Sequence, residues 1–127
     1  MIISSKIDSE EFSTLPRESL AELGGVMAQT EKMLNNFCNP LKTVAAKLGF
    51  SPGYNCHFHM LPVTEELMKE IAGNAAYSDT PDGNDALLFA SREYCERPLS
   101  ATEKKNQLRT ARDLRKLFQD IRMNESP

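Results

Sequence analysis

Apolar residues keep one helical phase from Leu20 through Leu23, Val26, Met27, Met33 and Leu34 to Phe37. With Pro16 suited to an early helical position, the pattern predicts one helix over 16–38. Gly24 and Gly25 weaken it and mark a kink or a close helix crossing. A second helix is expected over 40–48: Asn39 serves as N-cap, Pro40 stands first, and Leu41, Val44, Ala45 and Leu48 share a face that Gly49 closes. Thr64 caps a third over 65–72, with Leu67, Met68 and Ile71 buried and Gly73 at its end. Asp82 or Asn84 begins a fourth over 85–96, which Pro98 stops. Ser100 and Glu103 form a capping box that opens the last helix, 101–123. Its apolar side carries Leu108, Ala111, Leu114, Leu117, Phe118 and Ile121. Residues 74–85 are rich in Asn, Asp, Gly and Pro and read as a surface loop.

The stretch after Gly49 supports two readings. Ser51 and Pro52 can start a helix. Against this, Tyr54, Cys56, Phe58 and Met60 alternate with Asn55, His57 and His59, which is the period of a half-buried strand at 54–60 that Pro62 ends. Residues 1–13 are irregular, or an edge strand of Ile2, Ile3 and Ile7 lying beside 54–60. A frayed tail is expected at 124–127. The fold class that follows is mainly α: a single domain over 1–127, a compact bundle of about five helices with a short strand at 54–60 as the variant.

Composition narrows the class. At 127 residues the chain can bury a core without staples. No apolar run reaches the roughly 20 residues needed to span a bilayer, and the N-terminus lacks the pattern of a secretory signal. A cytoplasmic protein with no membrane partner is expected. Three cysteines, Cys38, Cys56 and Cys95, are widely spaced and odd in number, which argues against a disulfide framework. Charge is uneven. Residues 1–100 carry 8 Lys/Arg against 14 Asp/Glu, whereas residues 101–123 carry 7 against 3. Within the last helix Lys105, Arg109, Arg112 and Lys116 form a basic stripe that suits phosphates or the acidic body of the chain itself.

The line TVAAKLGFSPGY resembles the opening of helix-turn-helix motifs, among them those of AraC-type regulators and phage repressors. The match rests on Ala45, Gly49 and Phe50 at the small, turn and apolar positions. The resemblance implies a recognition helix after Ser51 that enters the major groove. Tyr54, Asn55, His57 and His59 would then face bases, while Lys42, Lys47 and the stripe of Lys105, Arg109, Arg112 and Lys116 meet phosphates. The leading expectation is therefore a small non-enzymatic regulator of duplex DNA without a cofactor. A helical adaptor or inhibitor that binds a protein, a second copy included, through an apolar helix face is the alternative. A third reading places redox or metal chemistry at Cys56, His57 and His59. A Cys/His segment followed by a helix resembles the AhpD-like hydroperoxidases, which carry a CxxC pair; here Cys56 has no cysteine three residues away.

Overall fold

The computed structural model describes the chain except residue 50 and residues 126–127. In chain order it contains β1 (Ile2–Ser4), a 3-10 turn (Phe12–Thr14), α1 (Arg17–Cys38), β2 (Lys42–Ala46), β3 (His57–Val63), α2 (Glu65–Ala72), α3 (Gly83–Phe89) and α4 (Ala101–Glu125). A π-helical turn, Ala90–Tyr94, prolongs α3. The chain is rich in helix, but the expected bundle of about five helices is replaced by four α-helices around a three-stranded sheet. Of the tail expected at 124–127, residues 124 and 125 belong to α4 and the last two lie outside the described residues.

The largest correction falls on 40–48. Asn39 takes a left-handed conformation, φ 44°, and its N–H donates to the Asn35 carbonyl at 3.0 Å. It therefore closes α1 instead of opening a new helix, and Pro40 follows as prolines commonly do after such a cap. The chain leaves extended into Thr43 and Val44, whose branched Cβ atoms favour a pleated surface. Thr43 is buried between exposed Lys42 and half-buried Val44, and its hydroxyl donates to Asn35 Oδ1 at 3.2 Å. Gly49 does adopt a positive φ, 120°, but in a loop. Phe50, the apolar residue of the proposed motif, lies outside the described residues.

The strand expected at 54–60 runs from His57 to Val63, straight through Pro62. It is the middle of the sheet, order β1-β3-β2, antiparallel on both sides. Proline survives in this central strand for a geometric reason. The Met60 N–H points toward the β1 side, where it meets the Met1 carbonyl at 2.8 Å. Two residues on, Pro62 would direct its absent N–H to that same side, past the Ile2–Ser4 pairing that ends at His59.

Two apolar clusters flank the sheet. Met33 and Leu34 of α1 pack with Met60 and Ile121, joined by Ile3, Leu114, Leu117 and Phe118. On the other side Val63, Ile71, Ala86 and Phe89 pack with Val44, Leu61 and Leu67. Strand alternation explains the division, because Met60 points one way and Leu61 and Val63 the other. Helix ends behave as their sequences dictate. Thr64 Oγ1 accepts from Leu67 N at 3.2 Å, and Asp82 and Asp85 form a reciprocal box at the start of α3. At α4, Ser100 N donates to Glu103 Oε2 at 2.9 Å and Arg97 pairs with the same carboxylate at 2.7 Å. Bonds from the Ser100 backbone and hydroxyl, then from Arg97, hold the Glu103 carboxyl down at about 2.

Gly24 and Gly25 mark neither a break nor a crossing. Helix α1 is continuous past them, and a methyl group built on either would meet nothing within 4 Å. Gly24→Ala and Gly25→Ala should each stabilise the protein by about 0.5–1 kcal/mol through helix propensity and a less flexible unfolded chain. Ile71→Ala should cost about 2–5 kcal/mol by leaving a cavity under α2. Urea unfolding followed by circular dichroism separates the two signs.

Candidate functional site

The second face of the sheet is only half covered. Helices α2 and α3 pack over Leu61, Val63 and Val44, but His59 and His57, two and four residues before Leu61 on the same side of β3, meet a different environment. The register places Ser4 opposite His57, and both Ile2 and Ala46 opposite His59. Side chains directly across an antiparallel pair share a face, so these residues form one open patch. Ile2 is 61% exposed there. A recess of about 380 Å³ borders the patch, lined by Ile2, Ser4, Gly49, Ser51, Tyr54, Asn55 and His57.

The wall of this recess is the loop between β2 and β3, held by the segment that follows β1. Ser5 N donates to the Cys56 carbonyl at 2.9 Å and Cys56 N to the Ser9 carbonyl at 2.6 Å. The Glu10 carboxylate accepts from Gly53 N at 2.7 Å, and Asn55 Nδ2 donates to the Ser5 carbonyl at 3.2 Å. These bonds carry the loop back over the sheet and stand Tyr54 beside the histidines, its ring 6.4 Å from that of His57. Gly49 meets the same residue closely: a Cβ there would lie 3.2 Å from His57 Cε1, on a backbone whose φ of 120° already excludes most side chains.

His57 Nδ1 lies 2.8 Å from the Asn55 carbonyl. A carbonyl only accepts, so Nδ1 carries a hydrogen and Nε2 is the nitrogen left to face a ligand. Fixing one ring nitrogen in this way sets both tautomer and orientation. The His59 ring lies 5.1 Å away, centroid to centroid. Burial first, then the neighbouring His57 and the terminal ammonium, lower the pKa of His59 below the ordinary histidine value. Burial thus favours the neutral form of the His59 imidazole, which can take up a proton, accept a hydrogen bond, or become cationic against a bound anion.

The residues assigned to DNA contact separate in space. Tyr54, Asn55, His57 and His59 come together here. Lys47 joins Glu10 and Glu11 around a smaller polar recess that shares Tyr54, Asn55 and His57. Lys42 stands at the far end of β2, opposite Val63. Lys105, Arg109, Arg112 and Lys116 are exposed on α4, whose apolar side packs with Met60 on the other side of the sheet. No recognition helix follows Gly49, because residues 51–53 are bends and His57–Val63 form the middle strand of the sheet. The Cys56–His59 couple also fails to form. Cys56 is buried at 3% exposure and faces the α1 side, one residue out of phase with both histidines. Among the described residues no group of three His, Cys, Asp or Glu side chains could hold a metal ion.

Sequence reasoning missed Ser4, Gly49, Ser51 and Glu10 as parts of this site. Only the edge-strand pattern at Ile2 and Ile3 hinted that residues 2–4 lie beside the histidines. No family model, curated protein or solved structure matches the chain.

The depressed pKa of His59 sets a direction for stability against pH. The unfolded chain takes up this proton at a higher pH than the folded one. Stability from this group is thus present above the ordinary value of about 6.5 and is lost as pH falls through it toward the folded value. Melting temperature should fall between pH 7.5 and pH 5.5, and His59→Gln should flatten that dependence. An unchanged slope in the variant would show that His59 does not report on folding.

Proposed function

We propose that this protein binds a small nucleotide-like ligand at the histidine recess. Tyr54 stacks on its planar ring, and His57 and His59 take its anionic group. The observation that supports this reading is the meeting of two imidazoles, an exposed aromatic ring, an amide and two hydroxyls on the one half-face of the sheet that no helix covers. Ligand sites are concave, with a few convergent polar groups. An aromatic ring open to solvent gains by stacking on a base. Ser4 and Ser51 add hydroxyls that can bond a sugar or phosphate.

Electrostatics adds a sign. Burial favours the neutral form of His59 in the free protein, and an adjacent anion favours its charged form. Binding then takes up protons, so affinity should rise as pH falls from 8 toward 6.

Calorimetric titration with adenosine 5′-monophosphate, with inorganic phosphate and adenosine in parallel, tests the reading. The nucleotide should bind more tightly than either part. A charged hydrogen bond contributes about 1.5–3 kcal/mol, so His57→Ala and His59→Ala should each weaken binding by about ten- to a hundredfold, and Tyr54→Ala by less. If none of the three probes binds at millimolar concentration, or the histidine variants bind as the parent does, the recess has no such role.

A further inference from the structure

The first half of α4 is largely exposed, with Glu103 of its first turn paired to Arg97. From Ala101 to Asp113 every residue is exposed except Glu103 and Thr110, and the contacts that anchor the helix begin at Leu114. At about 100° per residue, Lys104, Lys105, Arg109, Arg112, Arg115 and Lys116 all fall within an arc of about 140°. That arc lies opposite the seam of Leu114, Leu117, Phe118 and Ile121. Asp113 and Asp120 stand at its margin. Among the described residues, the ion pairs of Lys69 with Glu65 and of Arg97 with Glu103 engage none of these six cations. Between Lys104 and Lys116, Leu108 is the one large apolar side chain in the arc, 62% exposed.

We propose that this face docks on the phosphate backbone of double-stranded nucleic acid without reading its sequence. The inference is independent of the histidine recess. Three features favour this occupant. A protein interface is organised around a desolvated apolar or aromatic centre, and one leucine among six cations does not supply it. A membrane-surface helix needs a broad apolar face, but the apolar side of α4 is engaged with α1 and the sheet. From Lys104 to Lys116 the helix rises about 18 Å, a length over which a duplex presents about ten negative charges. A row of Lys and Arg along one line suits that lattice, and release of condensed counterions supplies the driving force.

Fluorescence anisotropy with two labelled 20-base-pair duplexes of unrelated sequence tests the proposal on the intact protein. Both should bind with similar affinity. Four phosphate contacts give a slope of about −3.6 in log K against log salt, so raising salt from 50 to 200 mM should weaken binding on the order of a hundredfold. Arg109→Glu with Arg112→Glu should abolish binding while the circular dichroism spectrum is kept, and Lys105→Glu with Lys116→Glu should do the same through different positions. His57→Ala should bind the duplex as the parent does. Absence of binding at 50 mM salt, indifference to both charge reversals, or binding of only one of the duplexes would overturn the proposal. Displacement of the duplex by polyglutamate at equal charge concentration would also do so, because the face would then recognise acidic chains in general.

Discussion

The middle strand of the sheet, β3, is paired with β1 over His57–His59 and with β2 over His59–Val63, so what it chiefly offers a ligand is its faces. Its alternation divides the molecule. Cys56, Phe58 and Met60 turn toward α1 and α4, while His57, His59, Leu61 and Val63 turn the other way. Helices α2 and α3 shelter only the second pair of that row, which leaves the imidazoles at the boundary between packed interior and water. Their properties follow from this position. Partial burial discourages protonation of His59, and the nearby Asn55 carbonyl settles which nitrogen of His57 carries hydrogen.

How much of this was legible in the sequence depended on whether the deciding interaction was local. Thr64, Asp82, Ser100 and Glu103 cap helices with their own neighbours, and those starts were readable from a few residues. The long phase from Leu20 to Phe37 was equally plain. At 40–48 the local signs pointed the wrong way. Asn39–Pro40 can open a helix or terminate one, and the residues before it, not those after, decide which. Val44 and Ala45 fit a helical stripe, but pairing with Met60 and Leu61 outweighs a preference of a few tenths of a kcal/mol per residue. Tyr54, Asn55, His57 and His59 were singled out from the helix-turn-helix resemblance and do lie together, though Tyr54, Asn55 and His57 line a recess with His59 beside them instead of forming a groove-reading helix. Ser4 and Glu10 act across some fifty residues of chain, a separation that no periodicity reveals.

The two proposed surfaces sit on opposite sides of the sheet and use different physics. The recess is concave, partly shielded from water and bordered by His59, whose charged form burial disfavours. The outer face of α4 is convex, fully solvated and permanently cationic. One responds chiefly to proton concentration and the other to ionic strength, so a change in either condition perturbs one surface while leaving the other nearly intact.

Pro62 has a bearing on solubility. A small sheet with β1 only three residues long leaves part of its central strand uncovered on one side, and such an unpaired stretch can template the addition of a strand from another molecule. On that side Pro62 presents no donor, so an incoming chain would find the ladder interrupted just where β1 gives out. The residue that looked like the end of the strand instead guards it against intermolecular growth.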